Sequence, residues 1–359
     1  MIRFPAGKLI TWFQKQKRDL PWRKKRSAYS TWISEIMLQQ TQVRQVEPYF
    51  IRFMQRFPTI LALALTPLHQ VLKVWEGLGY YSRARNIHRS AGLICNDLQG
   101  RIPADFKTLV ALPGIGPSTA GAILSLAFNR SFPVLDGNIR RILIRFFALV
   151  GDPRQTTVEK QLWTLAREIL PLDRPGLFNE ALMELGALLC RPHNPDCPRC
   201  PIKAKCLAFA SGRQNLLPSK SPKKPIPHYE VTAAVIRQRG KILITRRPEK
   251  GLLGGLWEFP GGKKEKGESL EEGLRREIRE ELAIDINVGR EFIRVRHAYS
   301  HFRITLHCFF CRKQKGRIVP LGVDDFRWVY THELQNFPFP RADQKVIACL
   351  IGKETGPVK

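Results

Sequence analysis

The sequence has too few acidic residues to balance its basic ones, and it lacks any long apolar run. Its 359 residues contain 59 Lys and Arg against 31 Asp and Glu, a formal net charge of +28 at pH 7. This excess favours a polyanionic partner, because each phosphate that a basic side chain contacts releases counterions. No apolar stretch approaches the roughly 20 residues that span a bilayer. We therefore expect a nucleic acid as partner, and no membrane.

The amino terminus also lacks the apolar core of a signal peptide, since Lys, Gln or Pro interrupts each short apolar run. We expect a cytoplasmic protein. Four of the eight cysteines fall between Cys190 and Cys206, and the others are scattered through apolar segments. In a reducing compartment such clustering indicates a metal site rather than disulfides.

Length and composition predict two domains, because 43% hydrophobic residues suffice for two cores. Apolar residues at three- and four-residue spacing predict an all-α domain over residues 1–210. Residues 211–228 are rich in Pro and Lys and are interpreted as a basic linker. Alternating strands and one amphipathic helix predict an α+β domain over residues 229–359.

The predicted elements are bounded by Gly and Pro. The helices are 29–38, 43–57, 68–75, 84–98, 118–128, 158–169 and 269–282, and the strands are 231–236, 241–245, 302–310 and 327–330.

The clustered cysteines are Cys190, Cys197, Cys200 and Cys206, on one loop (190–206) dense in Pro and basic residues. Four thiolates suit either tetrahedral zinc or an iron–sulfur cluster. The spacing, placed directly after a helical domain, resembles the loop of the endonuclease III and MutY superfamily. That resemblance implies a [4Fe-4S] cluster whose role is to order a basic loop against DNA, with zinc as the alternative.

A glycine-rich turn, LPGIGPSTAGAIL, places Gly114 and Gly116 directly before a helix. Glycines there allow backbone N–H groups to face an anion at the positive end of the helix, although a lone GxG is a weak signal. The segment resembles the helix-hairpin-helix of the same superfamily. Lyase-competent members carry Lys where this chain has Ser118, so hydrolysis without strand cleavage is expected. Another amine, such as Lys107 or Lys160, leaves weak lyase activity open.

Two carboxylates stand among apolar neighbours: Glu35 in TWISEIMLQQTQV and Asp136 in FPVLDGNIRR. Taken alone, each fits an ordinary polar position, and Asp136 could simply cap the helix that follows. Two carboxyl groups with separated pKa values are also what hydrolysis of a glycosidic bond requires.

Nearly the whole chain resembles the MutY adenine glycosylases. The matching segments are LPWRK (20–24), SEIMLQQTQV (34–43), GLGYYSRARN (77–86), VLDGNIRR (134–141) and FNEALMELGALLC (178–190). The resemblance implies base excision repair on duplex DNA, with removal of adenine mispaired with 8-oxoguanine or guanine. It also implies base flipping, a monomer and a place on the nucleoid.

Roles follow from the resemblance position by position. Glu35 would protonate adenine N7 and then help to activate water, Asp136 would stay ionised and stabilise the sugar cation, and Asn138 would orient the reacting groups. The implied adenine pocket comprises Trp22, Arg23, Leu38 and Glu180. The implied DNA and lesion contacts are Gln40, Tyr80, Gly114, Gly116, Ser118, Tyr299, Ser300 and His301.

The C-terminal domain carries a second motif, FPGGKKEKGESLEEGLRREIREELAI, which resembles the Nudix box. Glu277, Glu280 and Glu281 share one helix face, where carboxylates can hold Mg²⁺ against a pyrophosphate. Ala283 replaces the glycine of the box. The MutY resemblance favours a domain that reads 8-oxoguanine through HAYSH (297–301), with Tyr299 in place of Phe. Hydrolysis of oxidised nucleotides remains the alternative.

Two further alternatives stay open at this point. One is an endonuclease III-like glycosylase-lyase, against which Ser118 and the extra domain argue. The other is a DNA-binding protein that kept the fold without catalysis. Cys308 and Cys311 are expected on opposite faces of a strand, because their separation is odd.

Overall fold

The computed structural model describes residues 3–219, 225–299 and 301–354. The chain divides into two compact units, which comprise residues 1–65 with 86–223 and residues 66–85 with 224–359. Among the described residues, none of the helices has the length and apolar character that crossing a membrane requires.

The first unit is helical, as predicted. Its helices are α1 (Ala6–Gln16), α2 (Pro21–Lys24), α3 (Ala28–Leu38), α4 (Val43–Arg56), α5 (Ile60–Leu65), α7 (Ser82–Asp97, which begins in the second unit), α8 (Phe106–Ala111), α9 (Pro117–Phe128), α10 (Gly137–Phe146), α11 (Thr156–Glu168), α12 (Pro175–Leu188) and α13 (Leu207–Ala210). The sequence-predicted helices lie within about two residues of the observed ones, because local spacing and breakers fix both ends.

Glycines allow α9 and α12 to approach the backbone of neighbouring segments closely. A Cβ atom on Gly121 would lie 2.2 Å from the carbonyl oxygen of Pro133, and one on Gly176 would lie 2.2 Å from that of Ser125. Any larger side chain would therefore push α9 away from both partners. This packing fixes the extended segment that leads to Asp136.

The core of the first unit joins α1, α10 and α12. Phe4 packs against the ring of Phe146 at 4.6 Å and against that of Phe178 at 5.6 Å, and Phe178 is fully buried. Aromatic rings supply much of the buried apolar area in such a core.

Residues 66–85, including α6 (Leu68–Trp75), pack with the C-terminal unit, whereas the predicted boundaries assigned them to the first domain. Lys73 Nζ donates to the carbonyl of Phe337 at 3.1 Å, and the N–H of Phe339 donates to Glu76 Oε1 at 2.8 Å. Arg85 donates to the carbonyl of Gly254 at 2.6 Å. Sequence periodicity predicts the helix but contains no information about these long-range partners.

The second unit contains a mixed sheet. Its strands are β1 (His228–Gln238), β2 (Lys241–Arg246), β3 (Trp257–Glu258), β4 (Asp285–Ala298), β5 (Arg303–Lys315) and β6 (Asp325–Tyr330). The strand order is β3-β2-β1-β5-β4, with β6 paired to β2, and β1 and β5 run parallel. The α+β prediction is confirmed, although the prediction omitted β3 and β4.

Two helices of the second unit cover opposite faces of the sheet. The helix α14 (Leu270–Leu282) packs on one face with Ala234 and Phe309, and α15 (Arg341–Glu354) packs on the other with Ala233 and Leu306. Cys308 belongs to the α15 side and Cys311 to the α14 side. The expectation that the two thiols face apart is confirmed.

Ala283 ends α14 in the left-handed region, with φ 55° and ψ 32°, and its N–H donates to the carbonyl of Arg279. A residue with a Cβ atom is strained by roughly 1–2 kcal/mol in this conformation, which glycine adopts freely. The departure from the Nudix box therefore has a cost in stability.

We predict that Ala283→Gly raises the free energy of unfolding by up to about 1 kcal/mol, because it relieves this strain. The matched control is Ala348→Gly, which changes an exposed alanine inside α15 and should destabilise by about 1 kcal/mol. Denaturant unfolding measures both. Destabilisation of equal size in the two variants would contradict the assignment of strain to Ala283.

Candidate active site

One cavity of about 960 Å³ in the first unit brings distant parts of the sequence together. Its lining includes every residue predicted for catalysis and for the adenine pocket, and two of the predicted DNA contacts: Glu35, Asp136, Asn138, Trp22, Arg23, Leu38, Glu180, Gln40 and Ser118. Large concave sites with convergent polar groups are the usual location of ligand binding. The cavity is the candidate active site.

Glu35 projects into this cavity from α3. The helix begins at a capping box in which the Ser27 hydroxyl accepts from the Ser30 N–H, and its other residues pack among buried neighbours. Burial first, and then the negative charges of Asp136 and Glu180, together raise the pKa of Glu35 to about 8, while Arg26 opposes them. Glu35 is therefore protonated at neutral pH and can donate a proton.

Asp136 is the N-cap of α10, and its environment differs from that of Glu35. Burial raises its pKa, but hydrogen bonds from the Ile139 N–H at 2.7 Å and from Asn138 Nδ2 at 3.1 Å favour the carboxylate. The positive end of α10 favours it as well. The interpretation of Asp136 as the cap of the helix that follows it is confirmed. The capping position also holds its carboxylate at the cavity wall.

Asn138 is fixed from two sides. The Asn138 Oδ1 atom accepts a hydrogen bond from Arg141 Nη2 at 2.8 Å. On the other side, a Cβ atom added to Gly186 would lie 2.5 Å from the Cβ atom of Asn138. The amide group is therefore held with its Nδ2 on Asp136 and its oxygen on Arg141.

A network of arginines and glutamates closes another side of the cavity. Arg23 Nε donates to Glu180 Oε1 at 2.7 Å, and Arg26 Nη2 donates to the same oxygen at 2.7 Å. Burial opposes ionisation of Glu184, but hydrogen bonds from Arg18 and Arg23 outweigh it and lower its pKa to about 2. Glu184 is thus a buried anion with two cationic partners.

Sequence reasoning missed three members of this network: Arg18, Arg26 and Glu184. The four-residue spacing of Glu180 and Glu184 in α12 was the available signal, because it places both on one helix face. Their arginine partners lie more than 150 positions away, and no local pattern could identify them.

Trp22 and Leu38 form an apolar part of the cavity wall. Trp22 is buried and packs edge-on against Phe50, with ring centroids 5.4 Å apart. The cavity therefore combines a flat apolar surface with carboxyl groups, as a site for a planar base requires.

The glycine turn lies beside this cavity. Gly114 has φ 81°, and a Cβ atom there would lie 2.9 Å from that of Asn86. Gly116 is the N-cap of α9, and both glycines are exposed. Ser118 lines the cavity, and its Oγ accepts from the Leu135 N–H at 3.2 Å. The turn that was predicted to face DNA is therefore linked directly to the segment carrying Asp136.

Comparison with known proteins agrees with this geometry. The profile of the HhH-GPD superfamily base excision DNA repair proteins matches residues 33–168, and that of the NUDIX domain matches residues 231–349. The adenine DNA glycosylase of Buchnera aphidicola subsp. Acyrthosiphon pisum is 35% identical over 346 residues, which cover 94% of this chain and 95% of the relative. The human adenine DNA glycosylase is 35% identical over 98% of this chain and 74% of its own length. The chain belongs to the adenine DNA glycosylase family.

Solved structures agree with the fold of the first unit of this DNA N-glycosylase. A thermostable thymine-DNA glycosylase superposes with a TM-score of 0.53 at 29% identity, covering 57% of this chain and 95% of the other. A trapped endonuclease III–DNA covalent intermediate superposes with a TM-score of 0.50 at 21% identity, and the match covers 58% of this chain and 94% of the other. At this identity the match shows similarity of fold alone. The curated relatives thus confirm the family that the sequence resembles, and the solved structures confirm the predicted helix-hairpin-helix fold.

Two of the implied DNA contacts, Gln40 and Tyr80, have unusual backbone angles in the glycosylase. Gln40 has φ 57° and is exposed, and Tyr80 has φ 50° with its ring 5.2 Å from the guanidinium of Arg83. Non-glycine residues rarely adopt this conformation outside turns and functional sites. The direction in which each side chain leaves the backbone is therefore determined by a strained turn and not by a helix or strand.

The four loop cysteines line one small pocket in the glycosylase, and none forms a disulfide. Burial raises the pKa of the Cys200 thiol to about 12, and the neighbouring thiols contribute. Arg145, which is buried, donates to Cys190 Sγ at 3.4 Å. Four thiols around one pocket beside a buried cation suit an anionic thiolate-bound group.

In the second unit of the glycosylase, Tyr299 is half-buried rather than exposed. Its ring stacks on Phe302 with centroids 4.7 Å apart and meets His297 edge-on at 4.6 Å. His301 is exposed, and Ser300 lies outside the described residues.

The Nudix-box glutamates of this unit are bound to other protein groups. Arg276 Nη1 donates to Glu277 at 3.1 Å and to Glu280 at 3.2 Å, and Glu281 Oε2 accepts from the Gly261 N–H at 3.1 Å. The three carboxylates are therefore already engaged in the protein itself.

Proposed function

We propose that the glycosylase removes adenine paired with 8-oxoguanine or guanine in duplex DNA, by hydrolysis and without strand cleavage. The observation that carries the proposal is that one cavity holds Glu35, whose pKa is about 8, together with the hydrogen-bonded carboxylate of Asp136. Two carboxyl groups whose environments separate their protonation states provide an acid and an anion at the same pH.

The chemistry follows from this separation. Adenine leaves slowly as an anion, so a proton from the carboxyl group of Glu35 to the N7 atom makes it a neutral leaving group. The sugar becomes cationic as the bond breaks, and the carboxylate of Asp136 stabilises that charge. The carboxylate that remains on Glu35 then helps to deprotonate the attacking water, and Asn138 keeps Asp136 oriented.

The walls of the cavity account for binding of the flipped base. Trp22 and Leu38 offer apolar surface to a planar purine. Glu180 is held by Arg23 and Arg26 through one oxygen, so its carboxylate has a fixed orientation for accepting a hydrogen bond from the base.

The first test is adenine release in single-turnover assays on duplexes that pair adenine with 8-oxoguanine, guanine or cytosine. We expect the rate to follow that order and to fall as the pH rises through about 8, where Glu35 loses its proton. Glu35→Gln should lower the rate by roughly 10²- to 10⁴-fold, because it removes the general acid. Binding to the mismatch should be unchanged.

The matched control is Glu168→Gln, which alters an exposed glutamate of α11 and should keep the parental rate.

The stability of the protein provides a second control. Because the folded-state pKa of Glu35 is raised, the parent loses stability as the pH rises through about 8. Glu35→Gln should therefore unfold at no lower temperature than the parent at pH 9. Parental turnover by Glu35→Gln would remove Glu35 from the mechanism.

The absence of a lyase step is proposed from Ser118. A serine hydroxyl cannot form a Schiff base with the sugar, whereas an amine on the same cavity wall could. We predict that Ser118→Lys becomes covalently attached to the DNA upon reduction with borohydride, while the parent does not. Ser118→Arg is the control, since it adds the charge without a nucleophilic amine. Equal trapping of all three proteins would indicate that another lysine acts as nucleophile.

We also propose that the loop cysteines hold a [4Fe-4S] cluster with a structural role, and that zinc is the alternative. Four thiols that line one pocket suit either group, and the resemblance of the loop to that of the endonuclease III and MutY superfamily favours the cluster. Metal analysis that finds iron with acid-labile sulfide supports the cluster, and zinc alone would replace it.

For the second unit we propose lesion reading by the loop that carries Tyr299, Ser300 and His301, in a monomeric protein. The alternative is nucleotide hydrolysis with Mg²⁺ on Glu277, Glu280 and Glu281. The ion pairs from Arg276 favour the reader, because they already neutralise two of these carboxylates. Release of monophosphate from 8-oxo-dGTP by the full chain with Mg²⁺ would instead support hydrolysis.

A further inference from the structure

One face of the C-terminal sheet changes character along its length. Beneath α14 it is apolar, with Ala234, Ile236 and Phe309 in the core. Towards the loop between β4 and β5, the same face carries charged and polar side chains. These line an open groove of about 560 Å³, which we call the β4–β5 groove.

The strand register places the groove residues side by side. Arg294 pairs with His307, Arg296 pairs with Thr305, and Ala298 pairs with Arg303. On the other side of β5, Glu230 pairs with Thr305. Paired residues point to the same face of a sheet, so the three arginines lie together on this one. Arg296 and Arg303 are diagonal neighbours next to the proposed reading loop.

The acidic groups near the groove are already paired. His307 is 4% exposed, with Nε2 2.5 Å from Glu230 Oε2 and Nδ1 2.8 Å from Glu291 Oε1. Both carboxylates therefore lie within hydrogen-bond distance of the buried imidazole ring. Arg294 also donates to Glu291, at 3.1 Å.

The remaining positive charge is uncompensated. Arg296 and Arg303 are exposed, and neither forms an ion pair or side-chain hydrogen bond with another residue in the ranges 3–219, 225–299 and 301–354. Guanidinium groups bind phosphate oxygens through two parallel N–H bonds. The groove therefore presents two guanidinium groups that are available to bind phosphate, on a polar face that α14 leaves uncovered.

We infer that the β4–β5 groove binds backbone phosphates of DNA through Arg296 and Arg303, beside the loop that carries Tyr299 and His301. This inference rests on the proposed function, because DNA is the polyanion that a lesion-reading loop would meet. Two guanidiniums on adjacent strands can engage neighbouring phosphates of one DNA strand. Such contacts position the strand and carry no sequence information.

The test is the salt dependence of DNA binding by the full-length Arg296→Gln/Arg303→Gln variant, on an 8-oxoguanine:adenine duplex and on an undamaged duplex. Loss of two phosphate contacts should lower affinity by about tenfold at moderate salt and reduce the log–log salt slope by about two. The loss should be similar for both duplexes. The adenine release rate at saturating protein should stay at the parental value.

Two variants control for charge and for site. Arg296→Lys/Arg303→Lys should recover most of the salt slope, because it keeps both charges. Arg312→Gln removes an exposed arginine of β5 on the opposite face and should leave binding unchanged. A parental salt slope in the double Gln variant overturns the inference, and so does a loss confined to the lesion duplex. If the parent released no adenine, the proposed function would fail, while the undamaged duplex would still test the groove.

Discussion

The active cavity depends on the unequal ionisation of two carboxyl groups. Glu35 and Asp136 line the same space, and each carboxylate makes ionisation of the other less favourable. Asp136 has backbone and amide hydrogen bonds that favour its charge, whereas Glu35 meets burial and two nearby negative charges. The proton therefore stays on Glu35 at neutral pH, which is the state that a departing purine needs.

The packing of the helices maintains this inequality. Gly121 and Gly176 let α9 lie against the segments around it, and that contact fixes the approach of the chain to Asp136. Arg23 and Arg26 bind the carboxylate of Glu180. Their positive charges partly offset the effect of the Glu180 charge on the pKa of Glu35. The buried pair of Glu184 with Arg18 and Arg23 joins α12 to the amino-terminal segment. Removing one partner of such a buried pair costs several kcal/mol, because the other charge is left unpaired.

Much of the fold could be predicted from local sequence. The ends of α3, α4 and α9 follow from spacing, caps and breakers, and family resemblance identified Glu35 and Asp136. Long-range features could not be predicted. Residues 66–85 look like any other amphipathic segment, yet their hydrogen bonds go to the C-terminal unit. The strand β4 was missed because bulges interrupt its alternation, and the arginine partners of Glu184 have no local signature.

Glu35 keeps its proton at neutral pH because of its own burial and the negative charges of Asp136 and Glu180 beside it. The most direct measurement is the infrared spectrum of protonated carboxyl groups in the full-length protein as a function of pH, taken as the difference between the parent and Glu35→Gln. We expect one carboxylic acid band that titrates near pH 8 in the parent and is absent from the variant. A difference spectrum in which that band has vanished by about pH 5, close to the ordinary pKa of a glutamate, would contradict the account.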